Sequence, residues 1–505
     1  MGRSKKQVSP KIDKRFFKPG QEAEKTTKWI ESILHDFNTL QDPNQTAKKV
    51  IEFLEGIWNH FSVGKYAKIF VDFAGAEKAL YGLGKNYRDH LIHVFNVFFI
   101  GLSVLSKALE QDEAVFDTLK IHDETENFPF PNTYNRWRRL FYLWCLVSTF
   151  HDIAIPIDHM KEIDVGLTRL LKYFNMQPGR SALELPFMIQ SDISRYIDLQ
   201  AKMFATGVVV NQDEDLPTYR LQETSTGSSI YFRSTLSDAM ARYDHGALGA
   251  YFLFKSEEEL FLTGKHSSFK YDPDLSGLEY GGRIITLPRD RQKWEARLKK
   301  LSLDEESLNN LPRIYDLSRG ETKRYNDYVF EQDVTRAALA IALHNLKPNE
   351  YPKIFPVKFS KLPIAFLLIL FDELQEFYRP ENFILTEIIR SRKSPLTEVG
   401  IIPLAKNGRR IQITVNYDIE KPTAADEIQI IGRYNEWAKR GQKSEANTYG
   451  DVLHYTWANI FEVIQIKLSF EKKEPLEIQV RVRVNGKDPN NKLLMFRSPN
   501  WSGPH

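Results

Sequence analysis

The chain has 505 residues, 69 Lys and Arg against 66 Asp and Glu, and a net charge of +3, so no basic excess of the kind that neutralises nucleic-acid phosphates is present. At 42% hydrophobic and 27% charged it has the make-up of a globular protein, long enough for two or three domains rather than one core. A single cysteine, Cys145, excludes an internal disulfide and a thiolate zinc site, and a reducing, cytoplasmic location is expected.

Residues 1–27 are basic and aperiodic and read as a disordered tail. They carry no apolar core of a signal peptide, and Lys6 stands where an N-myristoylation motif wants Ser or Thr. No stretch reaches about 18 uninterrupted apolar residues, so no membrane partner is expected. From Thr27 to Phe73, Trp29, Ile33, Phe37, Val50, Phe53, Leu54, Ile57 and Trp58 recur at helical spacing. Gly82-Leu83-Gly84-Lys85 resembles a phosphate loop in part, but Ala79 replaces its first glycine and Asn86 its Ser/Thr.

The next helix carries His90, His93 and Val97 at i, i+3 and i+7. After a polar loop, Phe141–Asp158 (FYLWCLVSTFHDIAIPID) is an apolar helix, stopped by Pro156, with His151 and Asp152 in its last turn. An insertion at about 157–235 holds two further helices, Val165–Asn175 and Pro186–Ala205, and then a polar, strand-like loop region. Leu236–Phe254 reads as one buried helix with His245 in its middle and Gly246, Ala247, Gly249 and Ala250 allowing close packing. A second insertion, about 256–332, contains the charged helix Arg289–Leu301. Val334–Leu346 is an Ala/Leu helix closing on His344-Asn345, and Lys361–Arg379 an apolar helix interrupted by Asp372.

Beyond about residue 394 the period changes to two in RIQITVNYDI, IFEVIQIKLSF and LEIQVRVRV, with one helix, Ala424–Lys439, among them. The expected fold is therefore mainly α-helical over 28–393, followed by a smaller sheet-containing α+β domain over 394–505.

A lone histidine on an apolar helix is more often a hydrogen-bonded core residue than a ligand. Asp372 has three readings, a partner for Arg379, a cap for a neighbouring helix or a metal ligand. Repetition is what points to chemistry, because separate helices each place a His, a His-Asp or an Asp in apolar surroundings. Burying an unpaired carboxylate costs on the order of several kcal/mol, and a cation compensates it. Imidazole with carboxylate suits Mn, Fe, Ni, Zn or Mg, one ion or two.

The order His, His-Asp, Asp on successive helices, with HDIAIP similar to an HDIG-type signature, resembles the HD-domain metal-dependent phosphohydrolase superfamily. The resemblance covers about Tyr87–Arg379 and implies a helical HD core. Carried over residue by residue, it implies His93 as first ligand with His90 in reserve, His151 and Asp152 as the pair, and Asp372 as the last. His245 and His344 stand in the order of the extra ligands of binuclear phosphodiesterase branches, and His245 also matches a triphosphohydrolase histidine. Ile155 departs from the pattern where those branches carry His or Lys, leaving His159 or Asp158 as substitutes for the proton donor. Lys85 and Arg88 are expected to meet substrate phosphate.

The implied activity is nucleotide hydrolysis by a metal-activated water, first on a deoxynucleoside triphosphate and alternatively on a cyclic nucleotide or cyclic oligonucleotide. A catalytically silent nucleotide sensor is the non-enzymatic alternative. In either case, self-association or a partner protein would use the C-terminal domain.

Overall fold

The computed structural model describes residues 16, 26, 28–30, 32–33, 43–60, 64–81, 90–113, 115–121, 136–157, 190–206, 210–213, 216–219, 227–262, 277–280, 283–286, 333–375, 396–401, 411–419, 423–441, 443–469, 476–484 and 494–497. Its helices are α1 (Pro43–His60), α2 (Gly64–Tyr81), α3 (His90–Gln111), α4 (Val115–Thr118), α5 (Arg136–Phe150), α6 (Gln190–Thr206), α7 (Gly227–Ala241), α8 (His245–Leu262), α9 (Thr335–Asn345), α10 (Pro363–Gln375), α11 (Ala424–Arg440) and α12 (Tyr449–Lys467). Its strands are β1 (Val210–Asp213), β2 (Leu216–Tyr219), β3 (Gly277–Tyr280), β4 (Arg283–Thr286), β5 (Val357–Lys358), β6 (Leu396–Ile401), β7 (Ile411–Ile419), β8 (Leu468–Ser469), β9 (Leu476–Val484) and β10 (Leu494–Arg497). The described protein is mainly helical. Val165–Asn175, Arg289–Leu301 and most of both expected insertions lie outside the described residues.

Two compact units emerge, one from Met1–Phe53, Glu77–Leu119 and Pro348–His505, the other from Leu54–Ala76 and Lys120–Lys347. In the first, α10 is buried from Leu362 to Leu374 and packs on α3 and α12. A helix apolar all round belongs inside a core, and this one carries Asp372. Phe53 meets Phe95, Phe98 and Phe99 of α3 with ring centroids 5.0–5.1 Å apart. Lys467 at the end of α12 contacts Glu373 at 2.5 Å, beside Asp372. The strands of this unit form a sheet in the order β10-β9-β7-β6, in which β7 and β9 run parallel and the outer pairs antiparallel. A two-stranded parallel ladder joins β5 to β8.

The expectation of a strand over IFEVIQIKLSF is corrected, because residues up to Lys467 belong to α12 and only Leu468–Ser469 are extended. Thr448 and Asp451 form a capping box that starts the helix, and Val452, Thr456, Ile460 and Ile464 make its buried face at four-residue spacing. Ile466, which a strand would set on one face with the buried Ile464 and Leu468, is 52% exposed.

In the second unit α8 packs along α9, and both contact α5, while α6 packs on α7. The expected single helix Leu236–Phe254 is broken: α7 ends at Ala241, Tyr243 takes φ 59°, and α8 restarts at His245. Asp244 explains the restart, since its carboxylate accepts from Ala247 N at 2.9 Å and its carbonyl from Leu248 N at 2.9 Å. His245 is thus the first residue of a helix rather than the middle of one.

Residues His90–Glu110 and Arg136–Ile157 are long and apolar enough to cross a membrane by length and composition, but their apolar windows are 83% and 89% buried within the protein. They are core helices by that burial. Around the end of α5, Trp58, Tyr66, Phe70, Tyr142 and Phe150 form an aromatic cluster, with Tyr66 and Phe150 centroids 4.9 Å apart. Inside it Glu257 of α8 accepts from Tyr66 Oη at 2.5 Å and from Tyr142 Oη at 2.7 Å.

Burial pushes the Glu257 carboxyl up to about 7, against the opposing pull of the two phenol hydroxyls. The folded chain therefore holds this proton to higher pH than the unfolded chain does. Its contribution to stability is full at low pH and is lost as pH rises from the ordinary carboxylate range through about 7. Replacing Glu257 by Gln is expected to remove a loss on the order of a few kcal/mol between about pH 5 and about pH 8, read by denaturant unfolding. Identical pH slopes in the two proteins would contradict this.

Candidate metal centre

The site begins where α5 ends. Ser148 and Thr149 turn their hydroxyls back onto the carbonyls of Trp144 and Cys145, each at 2.6 Å, and α5 stops at Phe150. The His-Asp dipeptide, expected in the last helical turn, instead begins a run of tighter turns: Ile153 N donates to Phe150 O, Ile155 N to Asp152 O, and Ile157 N to Ala154 O. Pro156 has no N–H with which to continue an α-helical ladder from Asp152.

Both His151 and Asp152 are buried. His151 Nδ1 lies 2.8 Å from Ser148 O, and since a carbonyl only accepts, the proton sits on Nδ1. In the neutral ring that leaves the Nε2 lone pair facing outward, 3.5 Å from Asp152 Oδ2. His344, in the last turn of α9, repeats the arrangement, with Nδ1 at 2.5 Å from Ile341 O and Nε2 at 3.6 Å from Asp152 Oδ1. A backbone carbonyl on one ring nitrogen is the usual way a protein fixes the metal-binding tautomer of the other.

His245 brings a third Nε2 to 3.8 Å from Asp152 Oδ1, and its side chain is the most open of the set at 17% exposure. The ring centroids of His151 and His344 are 5.2 Å apart, those of His245 and His344 5.5 Å. Two glycines allow α8 to come this close. A Cβ on Gly246 would lie 2.9 Å from Ile341 O and from Asn345 Cβ, and 3.2 Å from His344 Cε1. One on Gly249 would lie 3.1 Å from Phe150 O.

The spacings test whether this donor set fits an ion. Two ligands at about 2.1 Å from one cation and 90–110° apart stand roughly 3.0–3.4 Å from each other. Asp152 and its three imidazole neighbours are slightly wider than that, and longer than the roughly 2.7–3.2 Å of an N–H···O bond. Three nitrogen donors and a carboxylate fit a divalent transition ion.

In the first unit, His93 Nε2 of α3 lies 2.8 Å from Asp372 Oδ1 of α10, both buried. His90, three residues earlier, is buried at the start of α3. Two buried His/Asp groups could thus hold metal ions: one draws on His93 and Asp372 of the first unit, the other is Asp152, His245 and His344 of the second, with ligand atoms within 4.8 Å of one another. Lys85, Arg88, Asp158, His159 and Arg379 lie outside the described residues. Sequence reasoning missed Asp244, which caps α8 and accepts from Asn345 Nδ2 at 2.7 Å. Its signal was present as Asp-His-Gly-Ala, an N-cap residue three before the amide it binds.

No protein-family model, curated protein or solved structure matches the chain.

Gly246→Ala probes the close approach. Its methyl would press on Ile341 O, the acceptor that orients His344, at a distance ordinary packing does not tolerate. We expect a loss of about 1–3 kcal/mol, read by thermal melting, together with weaker metal uptake. Unchanged melting and uptake would show that α8 and α9 have more room than the distances indicate.

Proposed function

We propose that the protein is a metal-dependent phosphohydrolase acting on a nucleotide, with a deoxynucleoside triphosphate as first substrate. The observation that carries this reading is the convergence of the His151, His245 and His344 Nε2 atoms on the buried Asp152 carboxylate. A cation held among these donors would offset the cost of burying the Asp152 carboxylate. The resemblance of the His93, His151-Asp152, Asp372 order to HD phosphohydrolases supplies the reaction class.

In this reading the neutral rings of His151 and His344 hold their protons on Nδ1, which leaves Nε2 as the ligand atom. Asp152 carries the negative charge that fixes the ion among them. A bound ion lowers the pKa of its water toward neutrality and neutralises charge developing on a phosphoryl oxygen. His245, the ring most open to solvent, would serve as the last ligand or deliver a proton from Nε2 to the leaving oxygen. His159 is the alternative donor, and Lys85, Arg88 and His90 the proposed phosphate contacts.

One observation favours a second reading, hydrolysis of a cyclic nucleotide or cyclic oligonucleotide. Asp152 divides its oxygens, Oδ2 toward His151 and Oδ1 toward His245 and His344, as a carboxylate bridging two ions does. A count of one bound ion supports the triphosphate reading, and two the phosphodiesterase reading.

The experiment is product release from a panel of deoxynucleoside triphosphates and cyclic nucleotides with Mn²⁺ or Mg²⁺. Asp152→Ala is expected to lower the rate by ~100-fold or more, beyond the usual effect of an outer-shell change. Binding of a nucleotide without turnover by either protein would leave the sensor role and remove the enzymatic one. Equal turnover by both would place the chemistry away from Asp152.

A further inference from the structure

We infer that Asp244 and Asn345 form a clamp that positions His245 and His344 against Asp152, a role that rests on the metal reading above. The start of one ligand helix lies beside the end of the other here: α8 starts at His245, and α9 ends at Asn345, one residue after His344. Asp244 belongs to both junctions. Its Oδ1 accepts from Ala247 N at 2.9 Å, holding the first turn of α8 and so the backbone of His245. Its Oδ2 accepts from Asn345 Nδ2 at 2.7 Å, holding the end of α9 beside His344.

The surroundings leave this carboxylate little freedom. Tyr243 at φ 59° and the Asp244 N to Ala239 O bond, 3.0 Å, turn the chain sharply just before it. Gly246, with no side chain, lets α8 come against Asn345 and Ile341 O, the carbonyl that holds His344 Nδ1. Asp244 therefore sets the start of one ligand helix and the end of the other through a single rigid group. A mismatch of a few tenths of an ångström between His245 and His344 would change how both Nε2 atoms address Asp152.

The two oxygens separate two roles. Helix capping uses Oδ1 and needs nothing from Asn345, so a purely structural cap survives Asn345→Ala. Positioning of His344 relative to His245 uses Oδ2 and does not survive it. Asn345→Asp sets two carboxylates against each other, whereas the exchange Asp244→Asn/Asn345→Asp restores an amide-carboxylate bond while an amide oxygen still caps Ala247 N.

The test is titration of the full chain with Co²⁺ alone, following affinity and the visible absorption that reports the ligand geometry. Circular dichroism melting monitors the fold. Asn345→Ala and Asn345→Asp are expected to weaken binding by about 10- to 100-fold and to alter the spectrum, as losses of groups that orient metal ligands do. The exchange variant is expected to recover affinity to within about threefold, and it carries the comparison with Asn345→Asp if Asn345→Ala fails to fold. Wild-type affinity and spectrum in folded Asn345→Ala would overturn the clamp while leaving the metal reading intact, as would an exchange variant no better than Asn345→Asp. No Co²⁺ uptake by the wild-type chain, or uptake unchanged by Asp152→Ala, would overturn the metal reading and the clamp with it.

Discussion

The carboxylate of Asp152 is buried at the end of an apolar helix, and a group of that kind is stable only when something of opposite charge or hydrogen-bonding capacity answers it. Three imidazoles do so in part, at distances that suit a shared cation better than direct hydrogen bonds. Much of the second unit follows from that requirement. The turn after Phe150 presents the dipeptide, Ser148 O and Ile341 O fix the tautomers of His151 and His344, and Gly246 and Gly249 bring α8 close enough to add His245.

Support for the centre extends well beyond its ligands. The aromatic cluster about Trp58 and Phe150 holds the end of α5, and Glu257, bonded by Tyr66 and Tyr142, ties the same α8 that begins at His245 into that cluster. Arg139 of α5 makes a buried two-pronged contact with Asp333, just ahead of α9, through Nε at 2.7 Å and Nη2 at 3.0 Å. The helices that carry ligands are therefore joined to each other by polar bonds as well as by packing, and polar bonds are directional where apolar contacts are not. A site that must hold four donors within a few tenths of an ångström has use for direction.

The helices α3, α5, α9 and α10 were legible in the sequence because they are apolar on nearly every face, so that each embedded His or Asp stood out against its background. His245 was legible as a residue and misread in its setting. The run Leu236–Phe254 has continuous apolar periodicity, and the break depends on Asp244 acting as a cap and on Tyr243 entering a left-handed conformation, both decided by local hydrogen bonds rather than by pattern. Residues 460–467 show the converse. Ile464, Ile466 and Leu468 alternate as a strand would, but the capping box at Thr448 and Asp451 sets the helix phase a dozen residues upstream. Glu257 and Asn345 gave no signal, since a single Glu in KSEEEL and an Asn at a helix end are ordinary surface residues until tertiary contacts enclose or engage them.

Whether Asp152 and its histidines hold a metal ion is read by anomalous diffraction from crystals of the protein soaked in Mn²⁺. A peak within about 2.4 Å of the Asp152 carboxylate and of one or more of the His151, His245 and His344 Nε2 atoms is predicted. Ordered protein there with no peak at saturating Mn²⁺, or a peak confined to the surface, would contradict the metal reading.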